Sequence, residues 1–127
     1  MGVEAVVADD GGERASALDE MRQLLAAAQA LRADLEVHET ACRLIIERIG
    51  AGHELAPALD EIGSQDLRPQ LTRSLSAYER LRHRARLRLI ALGVAEGMTS
   101  GDIQRHWAIT RQLAGRALQE IRELDLD

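Results

Sequence analysis

A long run of apolar residues at heptad spacing constrains the fold of this chain more than any other feature. Residues 15–49 are strongly helical in composition, and apolar side chains recur every seven residues in two series offset by three. The first series is Met21, Ala28, Leu35, Cys42 and Ile49, and the second is Leu24, Leu31, His38 and Ile45. One helix cannot bury such an a/d seam by itself, so the seam predicts a partner helix.

Two partners are possible for this seam, a second copy of the chain or another helix of the same chain. Leu25 and Ile46 widen the stripe at its ends, while Arg32 and Glu39 take the corresponding positions in its middle. A second copy of the chain would make the nine seam residues a homodimer contact. A helix predicted at residues 69–95 could instead fold back on the seam and close a bundle within one chain.

The composition favours an all-α fold with an aliphatic core. The chain has 127 residues with no Phe, one Trp and one Tyr, so Leu, Ile, Val and Ala must build its core. Strand-forming residues are scarce, which favours packed helices over sheets. The length suits one domain, or a small domain with an oligomerisation element.

Glycine and proline divide the chain into three regions. Residues 1–13, with the adjacent Gly11 and Gly12, are predicted to form a flexible tail. Residues 14–66 are predicted to form an acidic helical dimerisation region, in which a short helix follows the glycines at 50 and 52. Residues 67–127 are predicted to form a spine helix and a DNA-binding domain.

The spine helix is predicted to start near residues 66–69, where Pro69 is tolerated in the first turn, and to end near Ala95. It carries two apolar stripes, the second of which appears only late. The first is Leu71, Leu75, Tyr78, Leu81, Ala85, Leu89 and Leu92, and the second is Leu87, Ile90 and Val94. We expect the first stripe to pack on the N-terminal helices and the second on the C-terminal ones.

Two short helices joined by a three-residue turn are predicted at residues 97–124. Thr99 is a good N-cap, and Asp102 three residues later completes a capping box. Thr110 can cap the second helix, which covers residues 111–124.

The second of these helices has two different faces at 100° per residue. Its apolar face consists of Leu113, Ala114, Ala117, Leu118, Ile121 and Leu124. Its polar face consists of Arg111, Gln112, Gly115, Arg116, Gln119 and Arg122. Arginine matches the two acceptors of guanine, and glutamine matches the donor and acceptor of adenine, so the polar face has the chemistry of a major-groove reader.

This stretch resembles the helix-turn-helix of bacterial regulators, in the style of LuxR-type output domains and of the promoter-reading region four of sigma factors. The resemblance covers residues 86–124: LRLIALGVAEGMTSGDI, a hydrophobe at Trp107, and then Ile109-Thr110-Arg111-Gln112 where these families often carry a Val-Ser-Arg-like turn. It implies a tri-helical DNA-binding domain in which Arg111, Gln112, Gly115, Arg116 and Gln119 are the recognition residues.

The sequence departs from the family pattern at two positions. Gln104 stands where a small Ala usually lets the two helices approach, and Ala108 stands where Gly usually makes the turn. Ala114 and Ala117 on the second helix are predicted to supply the missing closeness.

Further contacts with DNA are predicted around this motif. The residues are Thr99, Arg105 and Thr110 near the turn, with Arg122 on the second helix and Arg84 and Arg88 on the outside of the spine helix. The alternative for the spine arginines is a solvated face paired with Glu79 and with acids of the N-terminal half.

The net charge of −5 hides an internal division. Residues 1–66 carry 14 acids and 5 Arg, which gives −9, and residues 67–127 carry 7 acids and 11 Arg, which gives +4. A basic C-terminal half fits nucleic acid. All 16 basic residues are Arg, which suits phosphate and guanine but is equally typical of a GC-rich genome.

Other chemistry is weakly indicated. His38 and Cys42 have a spacing that can hold a metal on a helix, but both lie on the seam, so we predict a structural role and no metal or other cofactor. No arrangement typical of an enzyme is found. The single cysteine, with no signal pattern or apolar run of membrane-spanning length, predicts a cytoplasmic protein without a membrane partner.

The sequence therefore predicts a homodimeric, sequence-specific DNA-binding regulator that places residues 111–124 in the major groove of double-stranded DNA. A two-fold dimer predicts half-sites roughly 34 Å apart or a multiple of this. The alternative is a protein-interaction module of the adaptor, anti-activator or antitoxin-like kind, in which the acidic N-terminal helix binds a second protein and DNA is not bound.

Overall fold

The protein is mostly helical in a computed structural model, which describes the backbone of residues 2–126 and the side chains of residues 12–124. The helices are α1 (Gly2–Gly50), α2 (Leu55–Ile62), α3 (Ser64–Ala95), α4 (Ser100–Trp107) and α5 (Arg111–Leu126). No strand occurs in this described part of the chain, so the predicted all-α class is confirmed. None of the described helices is both long and apolar enough to cross a lipid bilayer.

The first helix starts earlier than predicted. α1 begins at Gly2 rather than near Ala15. Two adjacent glycines cost a helix about 1 kcal/mol each, and the Ala and Glu residues around them favour helix enough to carry α1 across. The mobility predicted for residues 1–13 stays a prediction, and the side chains of residues 1–11 lie outside the described ones.

The end of α1 follows the prediction. Gly52 adopts a left-handed conformation with φ of 83°, and the N–H of His53 donates to the carbonyl of Arg48 at 2.9 Å. Gly63, with φ of 64°, makes a similar break after α2. Its carbonyl accepts from the N–H of Asp66 at 3.0 Å, so α3 starts at Ser64, earlier than the predicted residues 66–69.

Two compact units divide the chain: a terminal unit of residues 1–24 and 81–127, and a central unit of residues 25–80. This division differs from the predicted boundary between residues 66 and 67, because α1 and α3 each contribute to both units.

The heptad seam of α1 is split by the fold. The series that is half-buried within the chain is Leu24, Leu31, His38 and Ile45. In the central unit, Asp34 on the same side of α1 accepts a hydrogen bond from Gln70 at 2.9 Å and one from Ser74, both on α3. The fold-back of the spine helix is therefore observed beside this half-buried series.

The other series stays largely uncovered. Met21, Leu35, Cys42 and Ile49 are exposed, and Ala28 is half-buried. The nine seam residues thus form two neighbouring stripes rather than one contact. The reason is that the residues Leu31, Asp34, His38 and Ala41, which face α3 and α2, centre the buried side of α1 away from the first series.

The terminal unit has one core, shared by the last part of α3, α4 and α5. Its buried members are Leu87, Ile90, Ala91, Ile103, Ala114, Ala117 and Ile121, with Trp107, Ile109, Leu118 and Leu124 packed against them. Ile90 and Ile103 are fully buried. The late stripe of α3 and the apolar face of α5 therefore meet in this core.

Three stripe residues were predicted wrongly as buried. Val94 and Leu113 are exposed because each lies in the terminal turn of its helix, at the rim of the core. Leu75 is exposed because it lies at the margin of the α3 face whose Gln70 and Ser74 bind Asp34 of α1.

Candidate nucleic-acid interface

The start of α4 is held by the predicted capping box. The Asp102 N–H donates to Thr99 Oγ1 at 3.2 Å, and the Thr99 N–H donates to Asp102 Oδ2 at 2.9 Å. Hydrogen bonds from the Thr99 backbone and hydroxyl, and then from Arg105, hold the pKa of Asp102 below its ordinary value. Because the folded-state pKa is lowered, this contribution to stability is present at neutral pH and is lost in acid as Asp102 is protonated.

The turn after α4 contains an alanine in the left-handed region. Ala108 has φ of 52° and ψ of 44°, and the Ile109 N–H donates to the carbonyl of Gln104 at 3.0 Å. This is the position where the resembling families use glycine. The backbone therefore has the geometry that glycine would adopt freely, although the residue is Ala.

Replacing Ala108 with glycine is expected to raise the free energy of unfolding by about 0.5 to 1 kcal/mol. The left-handed conformation costs an L-residue about 1–2 kcal/mol, and this saving exceeds the extra chain entropy that glycine loses. Urea denaturation measures the change. Ala33→Gly is the matched control, because Ala33 is exposed within α1 and the same substitution should destabilise it. A loss of stability in both variants would contradict the left-handed assignment.

Close approach of α4 and α5 is provided by small residues on α5. Ala114 is fully buried and Ala117 nearly so, while Gln104 on α4 is half-buried and its amide reaches Ser100 Oγ at 3.4 Å. Ala114 and Ala117, the residues predicted to compensate for Gln104, are thus both buried in the core that α4 and α5 share.

The polar face of α5 points away from the core. Its members Arg111, Gln112, Gly115, Arg116, Gln119 and Arg122 are all exposed. None of their side chains has a hydrogen bond or ion pair with another part of the described chain. A Cβ added at Gly115 would meet nothing within 4 Å, so no neighbouring helix requires glycine there.

Thr99, Thr110 and Arg105, which are predicted to contact DNA, have partners within the chain. Thr110 Oγ1 accepts from the Leu113 N–H at 3.2 Å and caps α5, as predicted. Thr99 is engaged in the capping box, and Arg105 is ion-paired with Asp102 at 2.5 Å. Arg105 remains largely exposed, so it keeps donors for a second partner.

The spine arginines Arg84 and Arg88 contribute to the packing of the chain more than the sequence suggested. Nε and Nη2 of Arg84 both donate to Oε1 of Glu20, at 3.1 and 2.9 Å, and Glu20 is only 5% exposed. This matches the alternative of pairing with an N-terminal acid. Arg88 is half-buried. No sequence signal distinguished Glu20, because an acidic residue in a helix is usually exposed to solvent.

A second polar contact missed in the sequence fixes α5 on α3. His83 Nε2 lies 2.8 Å from Glu120 Oε2, and His83 Nδ1 lies 3.2 Å from Nη2 of Arg86. Since the guanidinium can only donate, Nδ1 accepts and Nε2 carries the proton toward Glu120. This pair leaves the outer face of α5 untouched while holding its inner edge.

The comparisons with protein-family models, characterised proteins and solved structures found no match for this chain. The function of the protein is therefore inferred from the exposed side chains of α5 and of α1.

Proposed function

We propose that the protein is a sequence-specific DNA-binding regulator that acts as a homodimer, with α4 and α5 as a helix-turn-helix and α5 in the major groove. The observation that carries this proposal is the outer face of α5, where five arginine and glutamine side chains are exposed and lack partners within the described chain. These side chains are therefore available to a ligand, and their donors and acceptors are the ones that base edges and phosphates bind.

The residue types on this face fit base edges. Arg111 and Arg116 can each donate two hydrogen bonds to a guanine, and Gln112 and Gln119 can each bond an adenine in both directions. Gly115 lies between them and exposes backbone, which permits close approach to a base pair or phosphate. Its cost to the helix, about 1 kcal/mol relative to Ala, is not repaid by any contact within 4 Å.

The charge of the same face also favours DNA. Among the side chains described on this face, Glu123 is the one acid beside Arg111, Arg116 and Arg122, which gives a net charge of +2 from three bases and one acid. The other nearby acid of α5, Glu120, is bound to His83 on its inner edge. The acid excess of the whole chain lies in residues 1–66 and does not describe this surface.

The rival function is a protein-interaction module that uses the acidic N-terminal helix. It is supported by the exposed apolar stripe on α1, which includes Leu25 and Ile46. A homodimer would use the same stripe, so the stripe alone does not separate the two functions. DNA binding does.

Selection from a random duplex library, followed by affinity measurements across a salt series, tests the proposal. We expect an enriched motif with two-fold symmetry, and log affinity falling linearly with log salt by about 0.9 per phosphate contacted. Absent or salt-insensitive binding to DNA would contradict the proposal and leave the interaction module as the better reading.

A further inference from the structure

One stripe of α1 in the central unit is left exposed among the side chains that the structure describes. Leu25 is 58% exposed, Leu35 45% and Ile46 71%. Together with their neighbours on the same side of α1, these residues are spaced alternately by three and four positions. They therefore lie on one face of the helix. The full stripe is Leu25, Ala28, Arg32, Leu35, Glu39, Cys42, Ile46 and Ile49. Beside it, a shallow groove runs between Leu35 on α1 and Tyr78 on α3.

The two charged residues of the stripe have opposite signs and lie at nearly equal distances on either side of Leu35. Arg32 lies three residues before Leu35 and Glu39 four residues after it. Their side chains are 83% and 58% exposed, and their ion pairs run along α1, to Glu36 at 3.7 Å and to Arg43 respectively. Both keep capacity for a further partner on the exposed side.

This arrangement is complementary to itself when the second copy runs in the opposite direction. In a two-fold contact, if residue i meets residue j, then j meets i. With the axis next to Leu35, an antiparallel copy brings opposite charges together at both Arg32 and Glu39. The matched positions are Arg32 with Glu39, Ala28 with Cys42, and Leu25 with Ile46. A parallel copy would instead set Arg32 against Arg32 and Glu39 against Glu39, which is destabilising.

We propose that this stripe of α1 is the homodimer interface and that its occupant is a second copy of the chain in antiparallel orientation, with the two-fold axis near Leu35. The proposal specifies the homodimer named in the proposed function and rests on it, but its test uses no DNA. A failure here therefore leaves the binding chemistry of α5 to be judged separately.

Charge reversal with rescue tests the orientation. Dimerisation of the full-length chain is measured by analytical ultracentrifugation over a concentration series. Arg32→Glu and Glu39→Arg are each expected to raise the dimer Kd about tenfold or more, since each creates two like-charged contacts per dimer. The double variant should return to within about threefold of the wild type, because it restores both opposite pairs.

The rescue cannot arise inside one chain. Arg32→Glu loses the pair of Arg32 with Glu36, Glu39→Arg loses the pair of Arg43 with Glu39, and the double variant loses both and regains neither. Arg73→Glu is the matched control, because Arg73 is an exposed residue of α3 that pairs with none of the described residues, so the variant should leave the dimer Kd unchanged. A monomeric wild type, or a double variant as weak as the single ones, would overturn the proposal.

Cross-linking with a short bifunctional maleimide provides an independent readout. In the antiparallel pair, the two Cys42 thiols lie 14 residues apart along the helix axis, or about 20 Å, so the wild type should not cross-link. Ala28→Cys should produce a covalent dimer, since the new thiol faces Cys42 of the other copy. Ala33→Cys, which is exposed but off the stripe, should not. Efficient cross-linking of the wild type through Cys42 would indicate a parallel pair and overturn the proposal.

Discussion

Replacing Arg116 with alanine is expected to weaken binding to a selected DNA site by about 5- to 150-fold, which corresponds to about 1–3 kcal/mol for one bidentate base contact. Arg116 lies in the middle of the outer face of α5, and no hydrogen bond or ion pair holds its guanidinium within the described chain. Its loss therefore leaves the fold nearly unchanged and removes only contacts made with the ligand.

The effect should depend on the DNA sequence. Binding to random duplex should change much less than binding to the selected site, so the ratio of the two affinities falls. Arg73→Ala serves as the matched control, because Arg73 is also exposed and has no ion pair within the part of the chain that the structure describes, but belongs to the central unit. Equal affinities of the Arg116 variant and the wild type for the selected site would remove Arg116 from the recognition set. The same experiment on Arg111 would then decide whether the face of α5 reads DNA.

Replacing Ile103 with alanine is expected to lower the free energy of unfolding by about 2–5 kcal/mol. Ile103 is fully buried in α4 and belongs to the core that α3, α4 and α5 share. Removing three carbons there leaves a cavity between helices, in a core otherwise built from Ala, Leu and Ile. Such a loss is a large share of the roughly 5–15 kcal/mol that stabilises a typical domain.

Leu113→Ala is the matched control for Ile103, because it removes the same number of atoms from a residue of α5 that is exposed. Its effect should stay below about 1 kcal/mol. Thermal and urea denaturation followed by circular dichroism measure both variants. Similar losses in the two would mean that Ile103 does not lie in the core, and the packing of α4 against α5 would have to be revised.

Local signals in the sequence were sufficient for the helix ends near the candidate site. Thr99 with Asp102 and Thr110 with the N–H of Leu113 form the caps that their spacing predicts, because a cap depends on residues within one turn. The same holds for the buried face of α5, where Ala114, Ala117 and Ile121 fall at helical spacing and are buried. The start of α1 was missed, since two glycines weaken a long helix without ending it.

Contacts between distant residues were not accessible in the same way. Glu20 and Arg84 are 64 positions apart, and His83 and Glu120 are 37 apart. Each residue by itself resembles an ordinary surface charge. Only the packing of helices brings the partners together, and a buried carboxylate such as that of Glu20 is stable only because a guanidinium reaches it.

The sequence by itself determined that this chain is all-α, where its two C-terminal helices begin, and which residues occupy the outer face of α5. These features follow from periodicity and caps, which act over a few residues. Only the tertiary structure decided what happens to the heptad seam of α1. Periodicity identifies an apolar side of a helix but does not say what covers it. Here the series of Leu31 and Ile45 is half-buried within the chain, while Leu35 and its neighbours stay exposed. Burial depends on which long-range contacts form, so a single stripe in the sequence became two surfaces in the folded chain.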